Sequence, residues 1–136
     1  MSITPRKILL VNADRKERAK LAIMLARFGH SVAFSDGKEL PEFSDDKYDL
    51  IIIDDGLPQG AGFNYLLDLS LENRSKAIFL SGESENTAKG RGQVNDIGMY
   101  ECLAKPVNPI NLAVVVCDFF LSSFKEGSFE KYNSVS

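Results

Sequence analysis

The stretch Tyr48-Asp49-Leu50-Ile51-Ile52-Ile53-Asp54-Asp55-Gly56-Leu57-Pro58 decides the fold. Residues 50–53 are continuously apolar and mostly β-branched, a composition that suits a strand covered on both faces, as strands of parallel sheets are. The run stops on two carboxylates, Asp54 and Asp55, and Gly56 and Pro58 turn the chain away. In open α/β sheets the carboxyl ends of the strands line the crevice where ligands bind. The two acids therefore stand where chemistry is expected.

Upstream, residues 7–11 form a second short apolar run, closed by Asn12-Ala13-Asp14 and followed by 15–28, with apolar residues at 21, 22, 24, 25 and 28. This pattern predicts strand, loop and amphipathic helix, with Asp14 capping the helix and Gly29 stopping it. The helix carries Arg15, Lys16, Arg18, Lys20 and Arg27, which read as a solvated face or as a docking patch. Residues 30–34, entered by His30, predict another strand, and 37–43 a weak helix interrupted by Pro41.

Downstream, Phe63, Leu66, Leu67 and Leu71 fall at helical spacing, and residues 77–80 give a strand that ends at Ser81-Gly82. Residues 83–97 predict a short helix weakened by Gly90 and Gly92, and 100–104 a fifth strand closing at Lys105-Pro106. Asn108 as cap and Pro109 at the first helical position open a last helix through 124, leaving 125–136 as a frayed tail. Residues 112–121 are apolar except for Asp118, too many for one buried stripe. Either this helix is well covered or it exposes a contact surface. Strands alternating with helices imply a doubly wound parallel sheet with right-handed crossovers. Asn12, Asp14, Asp54, Asp55, Ser81 and Lys105 all come at the carboxyl ends of its strands.

Composition narrows the class. A chain of 136 residues, 44% hydrophobic and 26% charged, reads as one soluble domain, expected at 1–124, with no membrane span and no secretory leader. The cytoplasm is its expected compartment. One histidine and two separated cysteines speak against a zinc centre, and a net charge of −3 against gripping nucleic acid by global charge.

The residues resemble the receiver domain of two-component response regulators over nearly the whole chain. Tyr48 to Asp54, with Pro58 and Gly62 following, is similar to the family's phosphoacceptor segment, Asp54 being the acceptor. Ala77-Ile78-Phe79-Leu80-Ser81-Gly82 is similar to the strand ending in the switch serine or threonine, and Leu103-Ala104-Lys105-Pro106-Val107 to the lysine–proline signature, often a cis peptide. The resemblance implies a flavodoxin-like sheet of order 2-1-3-4-5 with five helices. It also implies a phosphorelay role, with no enzyme activity beyond self-phosphorylation or dephosphorylation at Asp54.

A carboxylate that accepts a phosphoryl group is a nucleophile forming an acyl phosphate, and the charge transferred must be neutralised. Asp54 takes that role, Lys105 pairs with a phosphoryl oxygen, and Ser81 donates a hydrogen bond. Asp54, the Gly56 carbonyl, Asn12 and Asp14 are the oxygens available to Mg²⁺. The resemblance breaks where the family keeps two adjacent acids after strand one, because Asn12 and Ala13 stand there. Mg²⁺ is expected to bind weakly, and Asp14 to serve as a helix cap rather than a substitute ligand. Asp55 replaces an apolar residue and is expected to face solvent or the far side of the sheet. Cys102 stands where an aromatic switch is usual.

The leading expectation is a stand-alone receiver-like module without an output domain, acting on a downstream protein and served by a histidine kinase or phosphotransfer protein. The alternative is a degenerate receiver that signals by binding alone, through a homodimer face on the fourth and last helices that includes Val115 or Phe119. A third class, a phosphohydrolase or nucleotide binder on the same fold, lacks support: Gly56 occupies the second acid's place, and residues 12–15 are no phosphate loop. No nucleic acid and no membrane are expected among the partners.

Overall fold

The computed structural model describes residues 6–44, 47–82 and 97–135. Five strands, β1 (Lys7–Val11), β2 (Ser31–Ser35), β3 (Leu50–Asp54), β4 (Ala77–Ser81) and β5 (Glu101–Ala104), form one parallel sheet of order β2-β1-β3-β4-β5. This is the flavodoxin-like, doubly wound architecture expected. Helices α1 (Arg15–Arg27), α2 (Ala61–Asp68), α3 (Leu71–Arg74) and α4 (Pro109–Val135) and a 3₁₀ turn at Pro58–Gly60 complete the described elements.

The unbroken apolar strands are explained by two cores, one on each face of the sheet. Ile8, Leu10, Leu50, Ile52, Ile78 and Leu80 pack with Leu21 and Leu25 of α1 and Leu112 and Val116 of α4. Their neighbours Leu9, Val11, Ile51, Ile53, Ala77 and Phe79 point the other way, onto Phe43, Leu57, Leu66, Met99 and Cys102. Alternation along a strand thus feeds both layers, so neither face tolerates a polar residue before the rim. Residues 50–53 are fully buried.

Three expectations about helices are corrected. Residues 37–43 form an irregular loop, since Gly37 adopts φ +88°, Pro41 supplies no N–H, and the Ser35 hydroxyl engages Gly37 N and Glu39 O instead of letting a first turn close. The loop is pinned by Phe43, which is buried, and by the Tyr65 hydroxyl, which donates to Pro41 O at 2.6 Å. Burial pushes the Tyr65 pKa up to about 12.

The single helix expected from 63 to 71 is split into α2 and α3, because Ser70 caps a new turn by accepting from Asn73 N. Arg74 donates to Leu67 O and Leu69 O, satisfying carbonyls at the end of α2. The last helix, expected to stop at 124, runs to Val135; no proline follows, and Gly127 is its one strong local breaker. Asn108 caps it as expected, accepting from Ile110 N and Asn111 N. The helix expected at 83–97 lies outside the described residues except for Ile97.

The open question about the last helix resolves toward exposure. Leu112, Ala113, Val116, Phe119 and Phe120 face the core, whereas Ile110, Val114 and Leu121 are 73%, 53% and 49% exposed. Phe119, named beforehand as a contact position, is a core residue, and Val115 packs against the core. Loss of Phe43 tests the substitute packing of the loop: Phe43→Ala is expected to cost about 3–5 kcal/mol, read as a lower urea midpoint at unchanged slope.

Candidate functional site

The register of the sheet determines which polar groups meet. Asp54 pairs with Leu80 across β3 and β4, and Ser81 pairs with Ala104 across β4 and β5, so Lys105 leaves β5 at the level of this rim. The Lys105 N–H donates to Ser81 O at 2.8 Å, fixing the start of the loop, and the Lys105–Pro106 bond is cis. From there the ammonium reaches back to Asp54, lying 2.8 Å from Oδ1 and 3.0 Å from Oδ2.

Asp54 is only 2% exposed. Besides Lys105, its Oδ2 accepts the Gly56 N–H at 2.7 Å. Close approach explains both glycines that follow: a Cβ at Gly56 would sit 2.6 Å from Asp54 Oδ2, and one at Gly62 would sit 2.8 Å from Asp54 O. Burial by itself lowers the Lys105 pKa, but the hydrogen bond and charge of Asp54, helped by Asp55 and Glu17, outweigh it and raise the group above its ordinary value of 10.5.

Asp55 departs from expectation. Its side chain turns neither to solvent nor to the sheet's far side: Oδ1 lies 3.5 Å from Lys105 Nζ, and Oδ2 accepts the Gly82 N–H at 2.7 Å. Alternation fails because β3 ends at Asp54. Asp55 makes one last ladder bond, to Leu80 O, and beyond the strand's end its side chain folds over the rim.

The end of β1 behaves differently. Asn12 is buried, with Oδ1 accepting the Asp14 N–H at 2.8 Å and Nδ2 without a hydrogen-bond partner. Asp14 caps α1 as expected, accepting from Lys16 N and Glu17 N at 2.9 and 3.3 Å. Of the basic run on α1, Arg18 donates to Asn12 O at 2.8 Å and lies over Phe34, while Arg15, Lys16, Lys20 and Arg27 are exposed. The structure therefore brings together Asp54, Asp55, Ser81, Gly82 and Lys105, and sets Asp14 to a separate task.

The family model for the response regulator receiver domain matches residues 8–116. The chain belongs to this family. Solved structures agree. A response regulator receiver domain protein from Clostridium thermocellum is 20% identical, with TM-score 0.74 over 87% of this chain and 96% of that one. The chemotaxis response regulator CheY4 of Vibrio cholerae is 26% identical, with TM-score 0.69 over 85% and 99%. A CheY-like receiver domain protein from Methanospirillum hungatei is 22% identical, with TM-score 0.71 over 90% and 99%.

Receiver domains are in general signalling modules rather than enzymes; they exchange signals with histidine kinases or phosphotransfer proteins and bind Mg²⁺ at an acidic pocket. In this receiver the donors fit Mg²⁺ poorly. The one oxygen of Asn12 is engaged by Asp14 N, its amide end is a buried donor, Ala13 has no ligand atom, and Asp14 is spent on the helix cap. The Lys105 ammonium already pairs with both carboxylates at the rim. Among the described residues no helix is long and apolar enough to cross a membrane.

Lys105→Met leaves a buried carboxylate without its cation and is expected to cost about 1–3 kcal/mol at neutral pH, Lys105 being only partly covered. Because the folded-state pKa is raised, that stabilisation is complete below the ordinary value of 10.5 and fades as pH climbs through the raised one. The melting-temperature gap between wild type and Lys105→Met should stay level from neutral pH to about pH 10 and close above it.

Proposed function

We propose that this receiver accepts a phosphoryl group on Asp54 in a phosphorelay, in a Mg²⁺-dependent reaction slowed by weak metal binding. The observation that carries the reading is the Lys105 ammonium within 3.0 Å of both Asp54 oxygens, a cation already in place where negative charge arrives. An Asp54 oxygen attacks the phosphorus of a phosphohistidine, forming an O–P bond as the N–P bond breaks. The electron pair stays on the imidazole, which is reprotonated from water. Lys105 then follows the phosphoryl oxygens, and Ser81, at the end of β4, supplies a hydroxyl donor. A histidine kinase or phosphotransfer protein is the source of the group.

A second reading is favoured by one observation, the buried Asn12 amide that replaces an acid. On that reading the receiver signals by binding alone. Under either, the exposed stripe Ile110, Val114 and Leu121 on α4 offers the contact face for a second copy or a downstream protein. Val114→Glu should shift a sedimentation profile toward monomer while changing stability by less than about 0.5 kcal/mol; an unchanged profile speaks against a dimer there.

The central test is intact-protein mass spectrometry after incubation with a small phosphodonor, with and without Mg²⁺. A single adduct is expected in wild type and none in Asp54→Asn, with Lys105→Met lowering the rate by about 10²-fold. No adduct, together with no binding of a stable phosphoryl mimic, hands the chain to the binding-only reading.

A further inference from the structure

The crevice contains a second carboxylate that the phosphoacceptor role leaves unused. Among the described residues Asp55 neither caps a helix nor pairs with a cation other than Lys105; both of its oxygens are turned toward the rim. Its partners are the ammonium of Lys105 and the N–H of Gly82, the residue that follows the switch-position Ser81. Lys105 also holds Asp54, and Gly82 follows the strand that pairs with β3, so an acyl phosphate on Asp54 would bring further anionic oxygens that must find donors at this rim. Lys105 carries three N–H groups and is shared by Asp54 Oδ1, Asp54 Oδ2 and Asp55 Oδ1 at 2.8, 3.0 and 3.5 Å. Gly82 has one N–H, and it is taken at 2.7 Å.

We propose that Asp55 is a built-in competitor for the phosphoryl group, a positioning residue whose carboxylate holds the Lys105 ammonium and the Gly82 N–H that a phosphorylated Asp54 must recruit. This rests on the reading of Asp54 as acceptor and explains why such a receiver is slow. Asp55 forms and breaks no covalent bond. Its effect has two parts of the same sign. Donors must be withdrawn from one anion before they serve another, and a fixed negative charge beside Asp54 opposes the arrival of more. In the resting state these donors are thus already engaged by an anion belonging to the chain, and Gly82 is held without phosphorylation.

The test compares wild type, Asp55→Ala, Asp55→Asn and Asp54→Asn in the phosphodonor assay, with amide exchange at Gly82 followed by NMR. Asp55→Ala is expected to form the Asp54-dependent adduct about tenfold faster, the factor corresponding to one charge-assisted hydrogen bond, and to exchange its Gly82 amide proton faster. Asp55→Asn, which keeps an acceptor for Gly82 while losing the charge on Lys105, should preserve Gly82 protection and gain less in rate. Equal adduct rates in wild type and Asp55→Ala overturn the competitor role while leaving Asp54 as acceptor. Unchanged Gly82 exchange in Asp55→Ala overturns the contact itself. A slower, Mg²⁺-supported reaction in Asp55→Ala would make the residue a metal ligand instead and also overturn the proposal. No adduct in any variant removes the acceptor reading, and the competition with it.

Discussion

A carboxylate buried at the edge of a sheet is the constraint on which the rest of this molecule depends. Taking an ionised group out of water costs several kcal/mol unless cations and donors replace the solvent. Asp54 is 2% exposed, and the rim is arranged to offset that cost. Lys105 is brought from the far strand by the Lys105 N–H to Ser81 O bond, and the Gly56 N–H supplies a donor from the turn. The same charge dictates two residue types nearby, since side chains at Gly56 and Gly62 would collide with the carboxylate and with the Asp54 carbonyl. Residues that look scattered in the chain are therefore answers to one electrostatic problem.

That common cause is why so much of the fold and site was legible in the sequence. Residues 50–53 could be read as a doubly covered strand because two cores demand apolar side chains at every position, and the two observed clusters divide them alternately. Asp54 and Lys105 could be named from motifs, because short-range chemistry fixes both. What escaped has equally physical reasons. Residues 37–43 carry apolar side chains at a spacing compatible with a helix, but the loop is held by tertiary contacts, Phe43 in the core and Tyr65 on Pro41 O, that no local pattern reveals. Asp55 escaped because the alternation rule holds only within a strand, and the strand ends one residue earlier.

The end of β1 shows how a receiver can keep its frame while changing the sign of its local preference. An acid at position 12 would add negative charge beside Asp54 and call for a metal; the Asn12 amide adds a donor instead, buried and without a partner. With Ala13 silent and Asp14 engaged by the first turn of α1, the end of β1 adds a buried N–H donor to the rim and no carboxylate. Lys105 becomes the principal cation of the site. A lysine ammonium can move with its flexible stem as charge shifts, but it cannot bridge several oxygens with the fixed octahedral geometry of Mg²⁺.

The same comparison bears on how the rim can influence the surface. At position 102, three residues before the lysine, a buried cysteine packs into the core with Phe79 and Met99 and offers no ring to rotate outward. The nearest aromatic on this segment, Tyr100, lies edge-on to Phe119 of α4 at 4.9 Å, at the outer side of the sheet rather than in the crevice. Coupling through a swinging aromatic therefore lacks its moving part. The continuous route is covalent and hydrogen-bonded: Ser81 O holds Lys105 N, Lys105 leads through Pro106 to Asn108, and Asn108 caps α4. A displacement of Lys105 would reach the beginning of the helix that carries the exposed stripe by this connection.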